Sequence, residues 1–89
     1  MAYVVLNGAQ IKDKAQLHKL LKETLDFPDW YGENLDALVD CLTDERTPIM
    51  IEIDDYKAFK QNLGSYADAF IKVLRFVQSQ NRCFDFKVL

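Results

Sequence analysis

Asp36 and Asp40 stand four residues apart in the stretch Trp30-Tyr31-Gly32-Glu33-Asn34-Leu35-Asp36-Ala37-Leu38-Val39-Asp40-Cys41-Leu42-Thr43. On a helix that spacing puts both carboxylates on one face, and Asp44 extends the row if the helix reaches it. Such a row can transfer protons, hold a divalent cation, or bind the cationic side chains of a partner. Glu33 lies near enough to join the first two chemistries. Against them, the face is expected to be convex, with no deep pocket and no nucleophile, so an enzyme is not expected. For partner binding the penalty is informative. Like charges at i, i+4 cost a helix about 0.2–0.5 kcal/mol per pair. Asp40 falls late in the helix, where the macrodipole disfavours an anion. No Lys or Arg in the segment relieves either cost, so an external cation is one natural source of compensation. The other reading is a solvated acidic face. Trp30 and Tyr31, large aromatics in the loop that carries the acids, favour an interface, where such residues serve as anchors. Packing into the core or a hinge is the alternative for each.

The charge of the whole chain supports a polarised molecule. Net charge is −3 over 89 residues, with 14 acids and 11 bases. Seven of the acids (Asp26, Asp29, Glu33, Asp36, Asp40, Asp44, Glu45) fall between positions 26 and 45, where there is no base. The other seven share the rest of the chain with all eleven bases, which leaves that remainder at +4. A concentrated negative field attracts a basic partner and repels nucleic acid.

Hydrophobic residues are 49% and charged residues 28%, a globular balance that suits a single domain over residues 1–89 with one core. No apolar run approaches the ~18 residues of a membrane span. The apolar start Met1–Leu6 lacks the basic flank and the length of a signal peptide. A cytoplasmic protein is therefore expected, with Cys41 and Cys83 as reduced thiols that act as small buried apolar side chains. Two cysteines and one histidine are too few and too scattered for a zinc site. No metal or other cofactor is expected. His18, beside the Leu17 stripe, reads as a packed or surface histidine with no Ser or Cys partner.

The elements that must position the acids follow from periodicity. Tyr3–Leu6 is a strand ending at Asn7-Gly8. Leu17, Leu20, Leu21 and Leu25 make one helical face from Asp13, a plausible cap, to Leu25, and Pro28 bars continuation. Residues 26–33 are a loop. Asn34 caps a short helix over Leu35–Leu42 with Leu35, Leu38 and Leu42 inward. Ile49–Ile53, apolar but for Glu52, suits a central strand covered on both faces. Asp54 or Asp55 caps a helix ending at Gly64. A further helix from about Ser65 to Gln80 buries Phe70, Ile71, Val73, Leu74 and Val77, with Phe76 widening that side. Phe84–Leu89 closes the chain as a strand. The order β-α-α-β-α-α-β predicts an α/β fold with a three-stranded parallel sheet and four helices packed on it.

The motif Tyr31-Gly32-Glu33-Asn34-Leu35-Asp36-Ala37-Leu38, with Asp40-Cys41-Leu42-Thr43, resembles the barstar family of intracellular inhibitors of secreted ribonucleases such as barnase. Leu6-Asn7-Gly8, Gln10-Ile11, Leu17-His18 and Cys83 extend the similarity through most of the chain. The resemblance implies that the second helix and its preceding loop plug a ribonuclease's active-site cleft in a 1:1 complex of two monomers. Asp40 would be the central anchor among the enzyme's phosphate-binding Arg, Lys and His groups, and Asp36 a second charged contact. Trp30, where the family has Tyr, would pack on the enzyme, and Asn34, Leu35, Val39, Thr43 and Asp44 would line the contact with Tyr31 beside them. The chain departs from the family at Val39, where a tryptophan stands, and at Asp44 and Glu45, which replace a glycine and another tryptophan. A further contact Glu on the family's last helix has no counterpart among Phe76, Val77 and Gln78. The expected partner is thus a basic extracellular-type ribonuclease or a related basic toxin. The other expectation is an interaction module for a non-nuclease partner.

Overall fold

A computed structural model describes residues 2–89. Its elements run β1 (Ala2–Asn7), α1 (Lys14–Leu25), α2 (Leu35–Thr43), β2 (Ile49–Asp54), α3 (Tyr56–Leu63), α4 (Ser65–Gln80) and β3 (Phe84–Val88). The strands form one parallel sheet in the order β1-β2-β3. The protein is an α/β fold of three parallel strands and four helices, as its hydrophobic pattern predicts.

Local chemistry places the boundaries. The Asp13 carboxylate accepts from the Gln16 N–H at 2.7 Å and starts α1. Asp26, in the left-handed region at φ 53°, ends it, two residues before Pro28. Asp55 caps α3, and Gly64 at φ 60° turns the chain from α3 into α4. A left-handed residue between two helices is cheapest as glycine.

The register brings Val4, Ile51 and Phe86 side by side, and Leu6, Ile53 and Val88 beside them. Val4, Leu6, Ile49, Ile51, Ile53 and Phe84 are buried on this face. Leu17 and Leu21 of α1, Leu38 and Leu42 of α2, Phe59 of α3, and Ala67, Phe70, Leu74 and Val77 of α4 join them in one cluster.

Two expectations are corrected here. β2 is central but is covered on one face only. Its buried isoleucines alternate with half-buried Met50, Glu52 and Asp54, whose face also carries the exposed Tyr3, Val5, Asp85 and Lys87. Glu52 is accommodated there because the Tyr3 hydroxyl donates to it at 2.6 Å and Lys87 lies at 3.1 Å. These partners, the Tyr3 hydrogen bond first, hold its carboxyl down to about 2. A strand open on one side alternates, and Met50 disguises that alternation as a continuous apolar run. Phe76 does not widen the buried side of α4. It is 51% exposed, because the buried residues recur at intervals of 3, 4 and 3, and Phe76 lies about 100° off that stripe.

Candidate docking surface

Asn34 starts α2 as the sequence predicts. Its Oδ1 accepts from the Ala37 N–H at 2.8 Å, and its Nδ2 donates to the Gly32 carbonyl at 3.3 Å. Leu38 and Leu42 are fully buried and Leu35 partly so, which fixes the helix's rotation. Asp36, Asp40 and Asp44 are consequently exposed, with Val39 and Thr43 half-buried beside them. The Thr43 hydroxyl is turned back, donating to the Val39 carbonyl at 2.7 Å.

Among the described residues no ion pair involves the acidic row; the ion pairs are Lys60–Asp68 and Lys87–Glu52, both remote in sequence from α2. The field shows at Cys41, whose thiol is pushed up first by burial and then by the charges of Asp40 and Asp44. Cys41 and Cys83 are both free and half-buried rather than fully buried.

Beside Asp40 the surface is hollow rather than convex. Leu25 at the end of α1, Phe27 and Pro28 of the loop and Cys41 of α2 line a depression of about 180 Å³ together with Asp26, Trp30, Asp40, Asp44 and Glu45. Trp30 is 67% exposed. An indole beside carboxylates suits a partner's Arg or Lys, which can stack on the ring while pairing with the acids.

Tyr31 is placed elsewhere. Expected on the docking face, it is 3% exposed and packs on Phe27 with ring centroids 4.8 Å apart. Its hydroxyl meets Nδ1 of His18, and the Tyr66 hydroxyl meets Nε2, each at 2.5 Å. His18 is wholly buried and joins α1, the loop and α4 through its two nitrogens. A neutral imidazole donates at one nitrogen and accepts at the other, and two phenols can complement both roles. Burial lowers the His18 pKa; Glu33 opposes that shift and Lys14 adds to it. Tyr31 thus packs under the loop that precedes α2, with Trp30 next to it in sequence facing out. The only sequence signal was that His18 follows Leu17 on the buried stripe, and nothing local named its partners. Asn81, whose carboxamide donates to the Leu42 and Glu45 carbonyls at 2.8 Å each, carried no sequence signal.

Among the described residues no group of three or more His, Cys, Asp or Glu could hold a metal ion. Among the same residues no helix is long and apolar enough to cross a membrane.

Known proteins share this pattern. The family model described as Barstar (barnase inhibitor) matches residues 1–89. YrdF of Bacillus subtilis (strain 168), whose own description as a ribonuclease inhibitor is provisional, is 37% identical over 90 residues, covering 100% of this chain and 98% of that protein. With its whole length matched and the parallel α/β fold in place, the chain belongs to the barstar family.

Proposed function

We propose that this protein inhibits a basic ribonuclease by docking α2 and the preceding loop into the enzyme's phosphate-binding cleft. One observation carries the reading: Asp36 and Asp40 on α2 and Asp44 at its C-cap lie exposed, and the ion pairs among the described residues leave them without a cation. Carboxylate oxygens can replace those of a substrate phosphate, and charge-assisted bonds to Arg and Lys are the strong kind. Asp40 is the central anchor and Asp36 the second charge. Trp30, Asn34, Leu35, Val39, Thr43 and Asp44 complete the surface, and Tyr31 supports it from beneath. The inhibitor acts as a cytoplasmic monomer in a 1:1 complex, without cofactor or metal.

The extra acids Asp44 and Glu45, with Val39 in place of a bulky aromatic, favour a target that presents more cations and less apolar surface than barnase. A related basic toxin fits this surface as well as a nuclease does.

The test is inhibition of RNA cleavage by basic ribonucleases, including one from the protein's own cell, together with capture of bound proteins on wild-type protein and on its Asp36→Ala/Asp40→Ala variant. Inhibition that disappears in the variant is expected. Asp40→Ala alone should weaken binding by about 100-fold or more, because it leaves buried cations of the enzyme unpaired. Undiminished inhibition by Asp40→Ala would overturn the proposed mode.

A further inference from the structure

We infer that Asn81 is a positioning residue for the docking surface: from the end of α4 its carboxamide fixes the C-terminal half of α2 and the acidic turn that follows. The inference rests on α2 being that surface. The end of α2 is secured only in part by local bonds, those of the Thr43 hydroxyl to the Val39 carbonyl and of the Arg46 and Thr47 N–H groups to the Glu45 carboxylate. It has no base in its last turn, and Asp40, Asp44 and Glu45 add negative charge where the helix dipole is already negative. Its last backbone bond is long, with the Asp44 N–H at 3.3 Å from the Asp40 carbonyl, and the Thr43 hydroxyl, which donates to the Val39 carbonyl at 2.7 Å, lies 3.4 Å from that same Asp40 oxygen.

Asn81 supplies what is missing. Its Nδ2 donates to the carbonyls of Leu42 and Glu45, each at 2.8 Å. Its Oδ1 accepts from the Cys83 N–H at 2.9 Å. Turning the amide over would set its oxygen against two carbonyls and its NH2 against an N–H, so the orientation is determined. The backbone that carries the amide is anchored as well. The Asn81 N–H donates to the Val77 carbonyl at 2.8 Å, and its carbonyl accepts from the Phe84 N–H at 3.1 Å. The Cys83 carbonyl in turn accepts from the Ile49 N–H at 2.8 Å. A continuous set of bonds therefore runs from the central strand, through the start of β3 and Asn81, to the last turn of α2. Asn34 fastens α2 locally at its start, and Asn81 fastens it at its end from 36 to 39 residues away.

Three variants test this. Asn81→Ala removes the amide without adding charge. Asn81→Asp keeps an acceptor for the Cys83 N–H but loses both donors toward α2. Asn62→Ala, which removes a side-chain bond to the Gly8 carbonyl away from α2, is the control for a general loss of stability. Two quantities are read: exchange of the Asp44 amide by NMR, relative to a core amide such as Ile51, and dissociation kinetics from barnase as the probe. Both Asn81 variants should speed Asp44 exchange by about tenfold beyond any change at Ile51, the scale of two lost hydrogen bonds. Dissociation should accelerate by a similar factor, with association for Asn81→Ala within about twofold, because the steering charges stay in place. Asn62→Ala should change neither relative exchange nor dissociation. If Asn81→Asp does not fold, Asn81→Ala carries the same two readouts. Asp44 exchange that rises only in proportion to Ile51, or dissociation that stays unchanged, would overturn the role. If the wild-type protein does not bind barnase, that counts against the ribonuclease reading for this probe, and the exchange comparison decides on Asn81 alone.

Discussion

Tyr31 and Asp40 show how differently two neighbours in one acidic segment are used. Asp40 faces solvent, where the proposed partner would meet it, while Tyr31 is buried against His18 and holds the loop in place. Tyr31→Phe should therefore act mainly on folding. It leaves one nitrogen of a buried imidazole unpaired, at a cost of about 1–3 kcal/mol, measurable by urea denaturation. If the hydroxyl instead served binding, stability would hold and affinity would fall. The same imidazole predicts a pH dependence. Burial lowers the His18 pKa below its ordinary 6.5, so below that pH the unfolded chain takes up a proton that the folded chain resists. The stability associated with His18 is present above pH 6.5 and is lost as pH falls from there through the lowered folded value. His18→Gln should flatten that part of the stability–pH curve.

At the scale of elements, α2 and α4 obey one rule and differ in how clearly they display it. In α2 the leucines at 35, 38 and 42 fix the inward side, and the aspartates follow on the outside. α4 carries more apolar residues than its buried stripe needs, so periodicity alone spread the stripe too far and took in Phe76. The contrast is measurable. Phe70→Ala should cost about 3–5 kcal/mol as a core truncation, whereas Phe76→Ser should stay within about 0.5 kcal/mol. A large loss at Phe76 would mean that this ring packs against something on the outer face of α4.

Across the whole molecule, charge is separated rather than merely negative. The segment from Asp26 to Glu45 holds seven acids and no base, against +4 elsewhere. Association with a basic enzyme should therefore be fast at low salt and slow markedly as salt rises, since the Debye length is about 8 Å at physiological ionic strength. Stopped-flow association across a salt series measures this, and a rate indifferent to salt would argue against the acidic face as the point of first contact. Dissociation should depend on salt far less, because it reflects contacts that are already desolvated.

The element order, the parallel α/β class, the Asn34 cap and the shared face of Asp36 and Asp40 were all set by local sequence. The cap, the shared face and the single elements depend on residues no more than a few positions apart, through periodicity and capping chemistry, and the parallel class follows from the order in which helices separate the strands. The barstar resemblance was legible for the same reason, since its strongest motif is one continuous helix and loop. Tertiary structure alone decided which aromatic of the Trp30-Tyr31 pair turns inward, because that depends on His18 and Tyr66 arriving from other helices. It decided that β2 keeps an open face, where Met50 and Glu52 stay half-buried among the exposed Tyr3, Val5, Asp85 and Lys87. It also brought Asn81 to the end of α2, a contact between residues nearly forty positions apart that no periodicity in the chain encodes.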